Sequence, residues 1–164
     1  MGVLYDYFRA GDHAAAVELG IGPGGDWRAG RSLEEAGADR VDAKNLDPVV
    51  VLGQLVAYAE GVPFGDLPDG PVLVWPGEPH PRGEVEPGSP WDTGLILQHV
   101  PDRWRDVLAA LPEDAIPTVA ARWCGIEEAD FAGPLDAERT VAQFTGLARR
   151  ARRAGVRLYC RCSV

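Results

Sequence analysis

The C-terminal stretch "FTGLARRARRAGVRLYCRCSV" limits the possible folds more than any other. Over residues 136–153, Val141, Phe144, Leu147 and Ala151 recur at helical spacing, and Gly155 stands where a left-handed C-cap ends a helix. Val156–Cys162 then alternates as a strand does. Val156, Leu158, Cys160 and Cys162 line one face, and Arg157, Tyr159, Arg161 and Ser163 line the other. A long amphipathic helix running through one glycine into a strand calls for a layer of helices on a sheet. Cys160 and Cys162 share a face with two aliphatic residues, and free cysteine packs as a small hydrophobe. A zinc site wants four ligands with paired spacing, which two thiols one residue apart, Cys124 and three histidines do not supply. The pair therefore reads as core, with reduced thiols.

Upstream, the punctuation is equally legible. Val3–Phe8, "VLYDYF", has strand composition. Asp12 can cap a short helix through "HAAAVEL" up to Gly20, and "GIGPGGDWRAG" has too many glycines for regular structure. Ser32 and Glu35 have capping-box spacing, which predicts a turn or two of helix. In "NLDPVVVLGQLVAYAEG", Asp47 is an N-cap, Pro48 sits in the first turn and Gly61 closes the helix. Val72–Trp75 and Leu95–Val100 read as short strands. Helices follow from Asp102 through "RWRDVLAAL", and from Pro112 or Asp114 through "AIPTVAARWCG". Residues 76–90 hold five prolines and three glycines and form an excursion rather than an element.

At 164 residues and 46% hydrophobic content, the chain is one domain that can bury its own core. Its N-terminus has no basic region followed by an apolar run, and no window approaches the roughly 18 apolar residues of a membrane span. A soluble, cytoplasmic protein is expected. A net charge of −9 argues against nucleic acid or anionic lipid as a partner. The charge is uneven, because residues 149–164 carry six arginines and no acid, leaving ten basic residues against all 25 acids in residues 1–148. Those arginines either pair with surface acids within the fold or form a docking or anion site. Lys44 is the only lysine, a bias of GC-rich bacterial genomes.

Few motifs advertise chemistry. Gly20, Gly22 and Gly25 spell G-x-G-x-x-G, but a dinucleotide fingerprint follows a buried strand and opens a helix, whereas this one follows a helical segment and contains Pro23. No P-loop, nucleophile elbow or zinc-protease motif occurs, and no cofactor or metal is expected. Among the histidines, His99 beside Asp92, Asp102 and Glu78 could form an acid–base pair if the loop folds over it. Trp104 and Trp123 fit helix faces, while Trp75 and Trp91 flank the excursion. There they either anchor a partner or pin the loop to the body.

Three stretches, "MGVLYDYFRA", "VDAKNLDPVVVLGQLVAYAEGVP" and "FTGLARRARRAGVRLYCRCSV", together resemble the YfbM-like small bacterial family of unknown function. The resemblance covers most of the chain, the excursion at 76–90 departing from it. It implies an α+β fold whose N- and C-terminal strands share one sheet, and it implies no reaction.

The expectation is a single α+β domain spanning residues 1–164. Its small mixed or antiparallel sheet comes from residues 2–9, 72–75, 95–100 and 156–162, with helices 47–60 and 136–153 covering one face. The leading functional expectation is a protein-binding accessory or immunity-type module without catalysis, with Trp75 and Trp91 as binding residues. The alternative is a small hydrolase or transferase with Glu78, His80, Asp92 and His99 as catalytic residues on the 76–102 loop.

Overall fold

The computed structural model describes residues 3–164, so the Met-Gly opening and the first residue of the expected 2–9 strand lie outside the described residues. The fold is α+β. Five strands, β1 (Leu4–Ala10), β2 (Arg40–Asp42), β3 (Val72–Trp75), β4 (Leu95–Val100) and β5 (Arg157–Ser163), form one sheet in the order β2-β1-β5-β4-β3. Every pairing is antiparallel, which removes the mixed alternative. The N- and C-terminal strands lie side by side at its centre. The three-residue β2 was not expected, being too short to show alternation.

Helices α1 (His13–Gly20), α2 (Val51–Glu60), α3 (Asp102–Ala110), α4 (Ile116–Cys124) and α5 (Pro134–Ala154) complete the fold. Asp12 caps α1, its carboxylate accepting from Ala15 N at 2.8 Å. Asp47 accepts from Val49 N and Val50 N at 2.9 and 2.8 Å, but this ties a turn, and α2 begins only at Val51. Gly61 and Gly155 close α2 and α5 with φ of +78° and +66°, a region L-residues with side chains seldom adopt. Ser32 and Glu35 form the reciprocal capping-box bonds, yet the chain there makes turns rather than a helix.

Strand parity sends side chains to both faces, and both are covered. One face carries Tyr7, Val41, Leu158, Cys160 and Val100 into a core shared with α2, α3, α4 and α5, so α2 and α5 do lie on one side. Tyr7 meets Phe144 edge-on at 4.8 Å, and its hydroxyl donates to the Leu46 carbonyl. The other face carries Phe8, Tyr159, Leu97 and Trp75 into a smaller core under α1 and the 21–38 segment. Close-packed aromatic and aliphatic side chains of this kind each contribute about 1.5–3 kcal/mol. Cys160 and Cys162 are buried and all three cysteines are free thiols.

Two sequence features find structural explanations here. Two glycines of "GIGPGG" serve packing: Gly20 ends α1 against the Phe8 ring, and a Cβ on Gly22 would lie 2.4 Å from the Asp26 carbonyl oxygen. Two of the C-terminal arginines are tied within the fold. Arg149 donates to the carbonyls of Ala109 and Leu111 at the end of α3, and Arg150 grips Asp39 through Nε and Nη2, both at 2.8 Å.

Candidate functional site

Among the described residues no hydrogen bond or ion pair joins any two of Glu78, His80, Asp92 and His99, so the catalytic group expected on the 76–102 loop is not assembled. Glu78 is exposed. His80 turns its Nδ1 to the Pro81 carbonyl at 2.8 Å and lays its ring against Trp91 at 4.7 Å. Asp92 is occupied in holding its own loop, accepting from Gly88 N at 2.8 Å. Of the two readings of the tryptophans, exposed anchors or pins that hold the loop to the body, their placement is that of pins. Trp75 is 8% exposed, because it falls on the same face as Leu97 and packs beside Trp27 in the smaller core. Trp91 is half-buried, with its indole nitrogen turned inward.

His99 belongs to a different cluster. The register pairs it with Tyr159 on β5 and with Val72 on β3, which puts all three on the α1 face of the sheet. His13, the first residue of α1, sits above them, its Nδ1 2.9 Å from the Tyr159 hydroxyl and its ring 5.3 Å from that of His99. On the far side Asp102 opens α3, 3.5 Å from His99 Nε2 and 3.4 Å from Arg105, with Arg157 at 3.9 Å. The His99–Asp102 contact lacks the alignment of a formed hydrogen bond, and Nε2 is buried without another partner among the described residues.

Protonation in the cluster follows from burial. Desolvation lowers the His99 pKa below its ordinary 6.5, Asp102 opposes this, and His13 and Arg157 add to the lowering. Burial raises the Tyr159 pKa, so its hydroxyl stays protonated at neutral pH and can donate to His13 Nδ1. The buried thiols of Cys160 and Cys162 are also raised, chiefly by desolvation, which makes them poor nucleophiles. No group of three or more His, Cys, Asp or Glu among the described residues is placed to hold a metal ion.

The cluster adjoins a cleft of about 450 Å³ between α1 and β3, lined by His13, Ala14, Val17, Glu18, Leu73 and Val74. Glu18 fixes the rim by accepting from Gly24 N at 2.7 Å. β3 is the last strand of the sheet, and beyond its pairing with β4 no backbone hydrogen bond engages Val72–Trp75 among the described residues. Val72 is 61% and Leu73 41% exposed. A bulge between Leu73 and Trp75 shifts the register beside the cleft.

His13, Tyr159 and Glu18 went unrecognised in the sequence, because 146 positions separate the first two. For the open edge a signal existed. Pro71 and Pro76 bracket Val72–Trp75, and proline flanks suit an edge strand. No helix is long and apolar enough to cross a membrane among the described residues. No protein-family model, no curated protein and no solved structure matches the chain.

Proposed function

We propose that this is a protein-binding module of the accessory or immunity type, and that it holds an extended segment of its partner as an added strand on β3. One observation carries the reading: Val72–Trp75 is an apolar sheet edge whose backbone, beyond its pairing with β4, is unengaged among the described residues, with two exposed hydrophobic side chains. Such an edge is a template for strand addition, where main-chain bonds give affinity and alternate side-chain pockets give selectivity. The cleft beside α1 supplies one such pocket. A bacterial, cytoplasmic setting and kinship with the YfbM-like family belong to the same proposal, supported by the sequence stretches quoted above. Selection from a displayed library of random heptapeptides tests it. Selected peptides should shift the backbone resonances of Val72–Trp75, and the double substitution V72T/L73T should weaken them about tenfold by removing apolar contact. Peptides that bind elsewhere, or that bind the double variant equally, contradict the reading.

A second reading, a small hydrolase or transferase, is favoured by the bond between His13 at the cleft and the buried Tyr159 hydroxyl. It moves the chemistry from the 76–102 loop to His13, with Tyr159 orienting the imidazole as a general acid or base. Turnover of nitrophenyl ester or phosphate substrates that disappears in His13→Gln would support it, and activity unchanged in that variant would contradict it.

A further inference from the structure

We infer that the segment received by β3 is basic as well as apolar, with lysine or arginine at alternate positions. This rests on the strand-addition reading and adds to it the chemistry of the partner. Over residues 61–94, which lead into and out of β3 and on to β4, six acids stand against the single Arg82. Asp69 is engaged by Arg103 and the Trp104 indole, and Asp92 by Gly88 N. Asp66, Glu78, Glu84 and Glu86 are exposed, and no ion pair neutralises them among the described residues. In the cleft itself the ionisable lining is His13 and Glu18, and no arginine or lysine reaches it.

An added strand presents alternate side chains to the two faces of the sheet. Those opposite Val72 share the sheet face of His99 and Tyr159, while Leu73 and Val74, on either side of the register shift, line the cleft that holds Glu18. Cationic residues entering the cleft beside Leu73 and Val74 would meet the carboxylate of Glu18, while apolar residues at the intervening positions would cover the exposed Val72. A second copy of this chain fits poorly, because it would bring the same acidic segment and a net charge of −9 to the same edge.

The test titrates isotope-labelled protein with three capped seven-residue peptides in which valine alternates with lysine, threonine or glutamate, followed by backbone resonances. The lysine peptide should bind at Val72–Trp75 about tenfold more tightly than the threonine peptide, and the glutamate peptide most weakly. Added salt should narrow the differences. Glu18→Gln, which keeps the acceptor for Gly24 N, should weaken the lysine peptide about threefold and leave the threonine peptide unchanged. Equal binding of all three at β3 would overturn the basic-partner inference while leaving strand addition standing. Silence at β3 with every peptide would remove the strand-addition reading itself. Shifts at β3 that follow protein concentration alone would give the edge to a second copy and also overturn the inference.

Discussion

The two edges of the sheet are built in opposite ways. At β2 the outermost strand is three residues long and charged: Arg40 reaches Asp6 at 2.9 Å, Glu34 at 3.5 Å and Asp42 at 3.7 Å. Beside it Asp39 gathers Arg9 and Arg150. A short edge of paired charges discourages any further strand. At β3 the strand carries no charge, exposes Val72 and Leu73, and is fastened from beneath by Trp75. The difference teaches that one end of this sheet is closed by electrostatics and the other is held by packing and left open. The open end borders the cleft beside α1 and the cluster of His13 and His99.

Each fastening can be broken separately. The largest effect is expected for Trp75→Ala, which removes a buried ring from the smaller core and leaves a cavity against Leu97 and Trp27. It should cost about 3 kcal/mol in urea unfolding and loosen β3 before the rest of the sheet. Asp39→Asn acts on the opposite edge. It removes partly exposed pairs with Arg9 and Arg150, so a loss of about 1 kcal/mol at neutral pH is expected once solvent screening is allowed for. The hydrogen bond from Arg150 first, and that from Arg9 next, hold the Asp39 carboxyl below its ordinary 3.8. Its contribution is therefore present above that value and lost as pH falls through the lowered one, so wild type and variant should converge in acid.

The smallest effect belongs to His99. Because folding lowers its pKa, the unfolded chain binds the proton more readily, and the stability due to the neutral ring is present above 6.5 and lost as pH descends through the folded value. Asp102 faces the ring from α3, His13 from α1, and Tyr159 and Arg157 from β5, so the loss is a balance among them. His99→Gln should flatten this limb of the stability profile in thermal melts at a series of pH values. A variant with an unchanged slope would mean that another group titrates there.

Much of the frame was legible because its signals are local. The Gly61 and Gly155 caps, the apolar stripe of α5 and the alternation of β5 depend on neighbours a few positions apart. The short β2 was hidden because three residues carry no periodicity, and its pairing is set by β1. Trp75 misled for a related reason: it borders a proline-rich loop in sequence, but a bulge and the register with Leu97 turn it inward. The histidine cluster lay furthest from view. His13 begins a helix, His99 sits in a strand and Tyr159 in another, and only the packing of α1 over the β4–β5 register brings them together. His80, the histidine that the loop advertised, is occupied by the Pro81 carbonyl and the Trp91 ring.

The most direct test of the asymmetry is amide hydrogen exchange, residue by residue, in the free protein and with the tightest heptapeptide from the library. The open-edge account predicts that the outward amides of Val72–Trp75 gain protection by about tenfold or more on binding, while those of Arg40–Asp42 do not change. Protection that rises at β2, or that leaves Val72–Trp75 as exchangeable as before, would contradict it.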